Sequence, residues 1–99
     1  MNAQAPAYVI GHITVKDADK WALYRSRVPA TLAPWGGELV FRGKRIAVLA
    51  GEHRHPDTVV LRFPSREAAD GWFSSPAYQA LIALRSEAAD LDLIVCDEA

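Results

Sequence analysis

The chain has a single cysteine, Cys96, which excludes an internal disulfide and a cysteine-based zinc cluster. It has no excess of either charge: 11 Lys and Arg stand against 12 Asp and Glu, a formal net charge of −1. Nucleic-acid binding normally shows as a basic excess or stripe, and the sequence has neither. No apolar run approaches the roughly 18–20 residues of a membrane span. The opening Met1-Asn2-Ala3-Gln4-Ala5-Pro6 holds neither a basic segment nor an apolar one, so no secretory leader is expected and the expected location is cytoplasmic. Repeats, low-complexity tracts and charge blocks are missing too. Residues 1–6 therefore read as a loose tail and residues 7–98 as a single domain. What is present is ordinary globular material, 51% hydrophobic and 23% charged over 99 residues, too apolar for a disordered chain. A chain of this length hides only about 60–65% of its unfolded surface when it folds alone.

The local pattern alternates strands and helices. Tyr8 to Val15 is β-branched and aromatic, which predicts a strand. Asp17 follows as an N-cap, and Trp21, Val28 and Trp35 recur at seven-residue spacing with Tyr24 and Leu32 beside them, which predicts a helix from about Ala18 to Trp35. Pro29 is expected to kink or tighten it, and Gly36-Gly37 to end it with a left-handed cap. Glu38–Arg42 and Ile46–Leu49 read as two short strands across Gly43-Lys44-Arg45, and residues 51–57 as a loop. Thr58–Phe63 is a strand. Ser65 caps a short helix through Trp72-Phe73, and Ser75-Pro76 opens another to about Ala89. Leu91–Cys96 closes the pattern as a strand. The order β-α-β-(β)-β-α-α-β is that of an α+β, ferredoxin-like split βαβ fold with an antiparallel sheet.

Strand parity carries a message about assembly. Val9, Ile13 and Val15 face one way, with Val59, Leu61 and Phe63 and with Leu91, Leu93 and Val95; that face is apolar throughout. The other face, with Tyr8, Ile10, His12, Thr58, Val60, Arg62, Asp92, Ile94 and Cys96, is mixed yet too apolar for free water. The helices suffice for one face. A second copy of the chain, stacked sheet on sheet about a two-fold axis, is the simplest cover for the other, and its mixed polarity suggests an interface that encloses a cavity.

An ordered set of residues also resembles a known family: Tyr24, Gly36-Gly37, Val40-Phe41-Arg42-Gly43, Phe63-Pro64-Ser65, Ala69, Trp72, Ser75-Pro76-x-Tyr78-Gln79 and Leu84-Arg85. From Tyr8 to about Asp97 the chain resembles the domain-of-unknown-function family numbered 1330, a branch of the dimeric α/β-barrel superfamily. The resemblance implies a ferredoxin-like subunit that pairs into a barrel with a pocket per subunit. The wider superfamily includes cofactor-free monooxygenases, lactone isomerases, haem-degrading enzymes and stress proteins without known chemistry, and fold does not choose among them. Two positions depart from the family pattern: Ala50 and Ala77 stand where relatives often carry acids, and Glu52 could replace the first only through a loop shift.

Several side chains are candidates for chemistry. His12, mid-strand on the mixed face, suits a proton shuttle, or a histidine hydrogen-bonded within the sheet interface. Arg42, Arg62 and Arg85 suit an anionic ligand through bidentate contacts, or ion pairs with Glu38, Asp90 or Asp92. Arg85 is favoured because it shares a helix face with Tyr78 and Ile82 and matches the family pattern. Tyr24 offers a hydroxyl to a pocket or an aromatic ring to the core, and Tyr78 is a further ligand-binding candidate. His53 and His55, with Asp57 nearby, lack the third spaced ligand of a catalytic zinc site. Trp21, Trp35 and Trp72 read as helix-to-sheet packing or as the walls of a pocket. Haem is disfavoured because no histidine falls in a predicted helix. Cys96 has no base beside it, no Gly-x-Ser-x-Gly elbow exists, and Gly36-Gly37 follows a helix instead of opening one. No metal or cofactor is expected. Three functions fit: a homodimer binding a small, mostly apolar molecule through Arg85, His12 and Tyr24; a cofactor-independent monooxygenase or isomerase in the same pocket; or a structural or regulatory dimer with a filled interior.

Overall fold

The structure, a computed structural model, describes residues 5–98. The tail expected over residues 1–6 lies outside the described residues for residues 1–4. The elements run β1 (Ala7–Val15), α1 (Ala18–Leu32), a 3₁₀ turn (Ala33–Trp35), β2 (Glu38–Lys44), β3 (Asp57–Phe63), α2 (Arg66–Ser74), α3 (Pro76–Gln79), α4 (Ile82–Ala88) and β4 (Ala89–Asp97). The four strands form one antiparallel sheet in the order β2-β3-β1-β4, the α+β ferredoxin-like arrangement. No helix among the described residues is long and apolar enough to cross a membrane.

Helix starts follow the caps. The Asp17 carboxylate accepts the Lys20 N–H at 3.0 Å, Ser65 Oγ accepts from Ala68 at 3.1 Å, and Ser75 Oγ accepts from Tyr78 at 3.2 Å. α1 runs on through Pro29 and tightens to 3₁₀ only at Ala33–Trp35, four residues later than the proline suggested. Gly36 then takes the left-handed cap with φ of 69°, a conformation costly for any residue with a Cβ. The helix expected from Ser75-Pro76 to Ala89 is interrupted by a turn at Ala80-Leu81, so it becomes α3 and α4.

The strand expected at Ile46–Leu49 does not form. Residues 45–56 leave the sheet, and Ile46 and Leu49 are 99% and 98% exposed. β-branched residues favour a strand only where an edge accepts them. The neck of this excursion is closed by the Arg45 N–H donating to the Pro56 carbonyl and by its guanidinium donating to the His53 carbonyl, each at 2.7 Å.

Residues facing one another across the ladder share a side of the sheet. Val9 pairs with Leu61 and Val95, and Gly11 with Val59 and Leu93; this side meets the helices. Val9, Leu61, Phe63, Tyr24, Leu32, Trp72 and Tyr78 form the buried core there, with Phe63, Trp72 and Tyr78 wholly enclosed. Trp72 is held from two directions: its ring lies 4.3 Å from Tyr78 and its Nε1–H donates to Thr31 Oγ1 at 3.0 Å. Trp35 lies so close over Gly71 that no Cβ fits between them. In β2 the register slips at a bulge between Leu39 and Phe41. Leu39 therefore faces the helices with Leu61, Phe41 faces away with Val60, and Arg42 faces the helices again with Val59.

Among the described residues, only residues 53–55 at one end lie over the other side of the sheet, where His53 meets His12 and His55 bonds Thr14. Its middle row is apolar across all four strands, Phe41–Val60–Ile10–Ile94, with Phe41 and Ile94 about half exposed. One flanking row holds Glu38, Arg62, Tyr8 and Cys96, and the other holds Gly43, Thr58, His12 and Asp92. The parity read from the sequence is the parity of the folded sheet.

Candidate functional site

A cavity of about 410 Å³ opens between α1 and the helix-facing side of the sheet. Its walls are Trp21, Val28 and Leu32 from α1 and Ile13, Leu61 and Leu93 from the strands. Tyr24, Trp72 and Tyr78 line its buried part, while Arg25, Arg42, Lys44 and Asp57 lie along its outer part. Trp21 stacks on Tyr24 at 5.1 Å, which fixes the phenol against the α1 side.

The polar feature of the buried part is a chain of three side chains. Arg85 Nη1 donates to Tyr78 Oη at 2.8 Å, and the Tyr78 and Tyr24 hydroxyls are 2.8 Å apart. The Arg85 guanidinium also lies 5.9 Å from the Tyr78 ring centre, within cation–π range. A hydroxyl has one proton to give and two lone pairs to fill. Tyr78 can therefore accept from Arg85 and still either donate to Tyr24 or accept from it, and in both cases one phenol proton of the pair is left for an acceptor in the cavity. Burial, followed by the neighbouring Tyr78, pushes the Tyr24 phenol above its usual range, against the opposing pull of Arg85. Tyr24 is therefore a neutral hydrogen-bond donor at physiological pH, neither a phenolate base nor a nucleophile.

Arg42 comes to the cavity through the β2 bulge. Its guanidinium is pushed below its usual range, first by partial burial and then by the positive charge of Arg25. Among the described residues no ion pair forms at Arg25, Arg42 or Lys44.

The expected site residues divide between the two sides of the sheet. Tyr24, Tyr78 and Arg42 line the cavity, and Arg85 stands one hydrogen bond behind Tyr78 while facing a second, polar groove with Arg54 and His55. His12 and Arg62 lie on the opposite, open side, separated from this cavity by the sheet itself. His12 Nδ1 is 3.3 Å from Thr58 Oγ1 and its ring meets His53 edge-on at 4.7 Å, the sheet-bonded alternative raised for it. Arg62 lies 4.0 Å from Glu38, whereas Asp90 and Asp92 pair with Lys16 and His55 at 3.4 and 3.2 Å. The chain thus encloses its own cavity on the apolar side, whereas the sequence pointed to the mixed one. Trp21 and Trp72 line it and Trp35 does not. Ala50, Glu52 and Ala77 are exposed and none lines the cavity. His55 is buried against Thr14 Oγ1 at 2.7 Å, and among the described residues no three His, Cys, Asp or Glu side chains converge as a metal site. Arg25 and Lys44 were not singled out by sequence, and Asp57 was weighed only as a neighbour of His53 and His55; the position of Arg25 beside Tyr24 could have drawn notice.

Residues 6–99 match the family described as "Domain of unknown function (DUF1330)". No curated protein matches the chain. Among solved structures, a protein of unknown function from Rhodopseudomonas palustris superposes with a TM-score of 0.81 at 18% identity, over 97% of this chain and 84% of that one. A cofactor-independent oxygenase from Streptomyces nogalater superposes with a TM-score of 0.67 at 12% identity, over 96% and 94%. A protein from Thermobifida fusca, described as dimeric, ferredoxin-like and of unknown function, gives 0.67 at 13%, over 99% and 95%. At these identities the likeness is one of fold.

Proposed function

The chain belongs to the DUF1330 family, and we propose that it is a homodimer, one folded unit over residues 7–98, that binds a small, mostly apolar molecule in the cavity between α1 and the sheet of each subunit. The observation that carries this reading is the cavity of about 410 Å³, apolar along most of its wall and supplied at its buried part with the hydrogen-bonded hydroxyls of Tyr24 and Tyr78. Ligand sites occupy clefts of roughly 300–1,000 Å³ with a few placed polar groups. An empty space of this size weighs against a dimer whose interior is filled by its own side chains. The homodimer is supported by the apolar row Phe41–Val60–Ile10–Ile94, a continuous stripe across the face that no helix covers, and by the dimeric state described for a structural neighbour. Tyr24, Tyr78 and Arg85, with Arg42 nearer the mouth, are the ligand-binding residues; His12 and Arg62 act at the paired face.

Native mass spectrometry tests both halves of the reading, together with titration of the uncharged fluorophore N-phenyl-1-naphthylamine. A two-chain mass, and fluorescence enhancement abolished by filling the cavity with Val28→Trp, are the expected results. A one-chain mass overturns the dimer, and a probe that does not respond to Val28→Trp overturns the cavity.

A second reading, a cofactor-independent enzyme in the same cavity, is favoured by one feature. A neutral phenol donor polarised by a guanidinium is a device that stabilises a developing oxyanion, and Asp57 places a carboxylate on the wall. In that case Tyr24→Phe lowers turnover of a bound compound by about 10²-fold while leaving its affinity within a few-fold. Equal losses in both mark a binding role only.

A further inference from the structure

The cavity joins two features that are seldom found together. Its wall is hydrocarbon and aromatic, yet its outer part carries three cations, Arg25, Arg42 and Lys44, against the one carboxylate of Asp57. Arg62 lies 4.0 Å from Glu38 and Arg66 3.8 Å from Asp70. Among the described residues Arg25 and Arg42 form no such pair, while Lys44 stands across the β2–β3 ladder from Asp57. The bulge in β2 directs Arg42 to this side of the sheet, and α1 supplies Arg25 one residue after Tyr24, so two separate elements bring guanidinium groups to one opening. Like charges held together beside apolar surface raise the local potential and favour an anion. Partial burial first, and then the charge of Arg25, hold the Arg42 guanidinium below its usual range, in keeping with two cations at one opening.

We infer that the molecule bound in this cavity is an amphipathic organic anion, a carboxylate or sulfonate on an apolar ring system or chain. Its acid group meets Arg25 and Arg42 at the mouth, and a carbonyl or hydroxyl oxygen on its apolar end accepts from the Tyr24–Tyr78 pair. The planar fork of a guanidinium matches a carboxylate through two hydrogen bonds, and Lys44 adds a point charge to the same field. This inference rests on the cavity being the binding site, and the test separates the two.

The probes are 1-anilinonaphthalene-8-sulfonate and N-phenyl-1-naphthylamine, which share one ring skeleton and differ in the sulfonate. The wild-type dimer is expected to bind the sulfonate about tenfold more tightly, the scale of one charge-assisted contact. The double variant Arg25→Gln/Arg42→Gln is expected to weaken the sulfonate about tenfold more than the neutral probe, which offers the guanidinium groups no charge to meet, and so to remove the difference. Raising salt should weaken the sulfonate more in the wild type than in the variant, which keeps only Lys44. Equal affinities for the two probes, insensitive to the double variant, overturn the anion and leave the cavity standing. A sulfonate preference that survives the double variant likewise overturns the assignment to Arg25 and Arg42. Binding of both probes that survives Val28→Trp places them outside the cavity and overturns cavity and anion together.

Discussion

The two sides of the sheet are made by alternate residues of the same four strands, and they have been given different work. The helix-facing side closes around aromatic rings: Phe63, Trp72 and Tyr78 are fully enclosed, and polar atoms admitted there are hydrogen-bonded, Arg85–Tyr78–Tyr24 in one chain and Trp72 to Thr31. The open side is polar in its two outer rows and apolar in the middle one, with titratable side chains that bond within their own neighbourhood, His12 with Thr58 and Tyr8 with Glu98. A side chain's neighbour in sequence is therefore its stranger in function. Tyr24 and Arg42 share a cavity although β2 and α1 are different elements, whereas Arg62 is cut off from Leu61 and its cavity by a single peptide unit.

The contrast can be broken most severely from the enclosed side. Trp72→Ala is expected to cost about 3–5 kcal/mol in urea unfolding, because a large buried ring is lost and its neighbours collapse only partly. A loss under about 1 kcal/mol would show that the core does not depend on the ring. On the open side Val60→Asp puts a charge into the apolar row, twice over in a symmetric dimer. It should raise the dimer dissociation constant by at least ~100-fold, with the fold intact by circular dichroism, since an unpaired charge pays its desolvation on each subunit. Sedimentation equilibrium reads the change, and an unaltered dimer would place the interface elsewhere.

Smaller effects sharpen the comparison. In the folded chain Tyr24 stays protonated above pH 10, whereas in the unfolded chain it ionises near the ordinary phenol value of 10.0. The unfolded state thus binds fewer protons in that range, and stability must fall as pH rises, by about 1.4 kcal/mol per pH unit above pH 10 from this group. Its contribution is fully present below that pH. Tyr24→Phe should remove that slope at a cost of about 1 kcal/mol at neutral pH, as read from paired urea series at pH 8 and pH 11. The smallest effect is expected at His12. His12→Gln should leave N-phenyl-1-naphthylamine binding within about twofold, because the sheet separates it from the cavity and binding sites distant from a substitution respond little. A larger change would mean that the two sides communicate.

Much of the architecture was legible because it rests on local chemistry. Asp17, Ser65 and Ser75-Pro76 start helices through bonds to backbone N–H groups three residues on, and no other part of the chain is needed to see them. Strand parity was legible for the same reason. Ile46–Leu49 misled because β-branched side chains suit an edge but do not supply one, and this segment projects into solvent. Pro29 misled because a proline three residues from the end of a helix disturbs little that the following 3₁₀ turn does not already rearrange. The site was less legible. Tyr24, Tyr78 and Arg85 were recognised singly, but the hydroxyl contact joins residues 54 positions apart and exists only once α1 packs on α3. His12 and Arg62 fell on the right side of the sheet while the cavity lay on the other. No single-residue signal marks which side of a strand will be hollow.

The bulge in β2 behaves like a shift of reading frame. Upstream of it Leu39 faces the helices, and downstream Phe41 joins the apolar row while Arg42 enters the cavity. Adding or removing one residue at this edge strand would exchange the two sets at a stroke: the arginine would move to the pairing surface and the phenylalanine to the binding one. Point substitution would need several coordinated changes for the same result. A change of one residue in length near Val40 would therefore alter the lining of the cavity and the apolar row of the open face together.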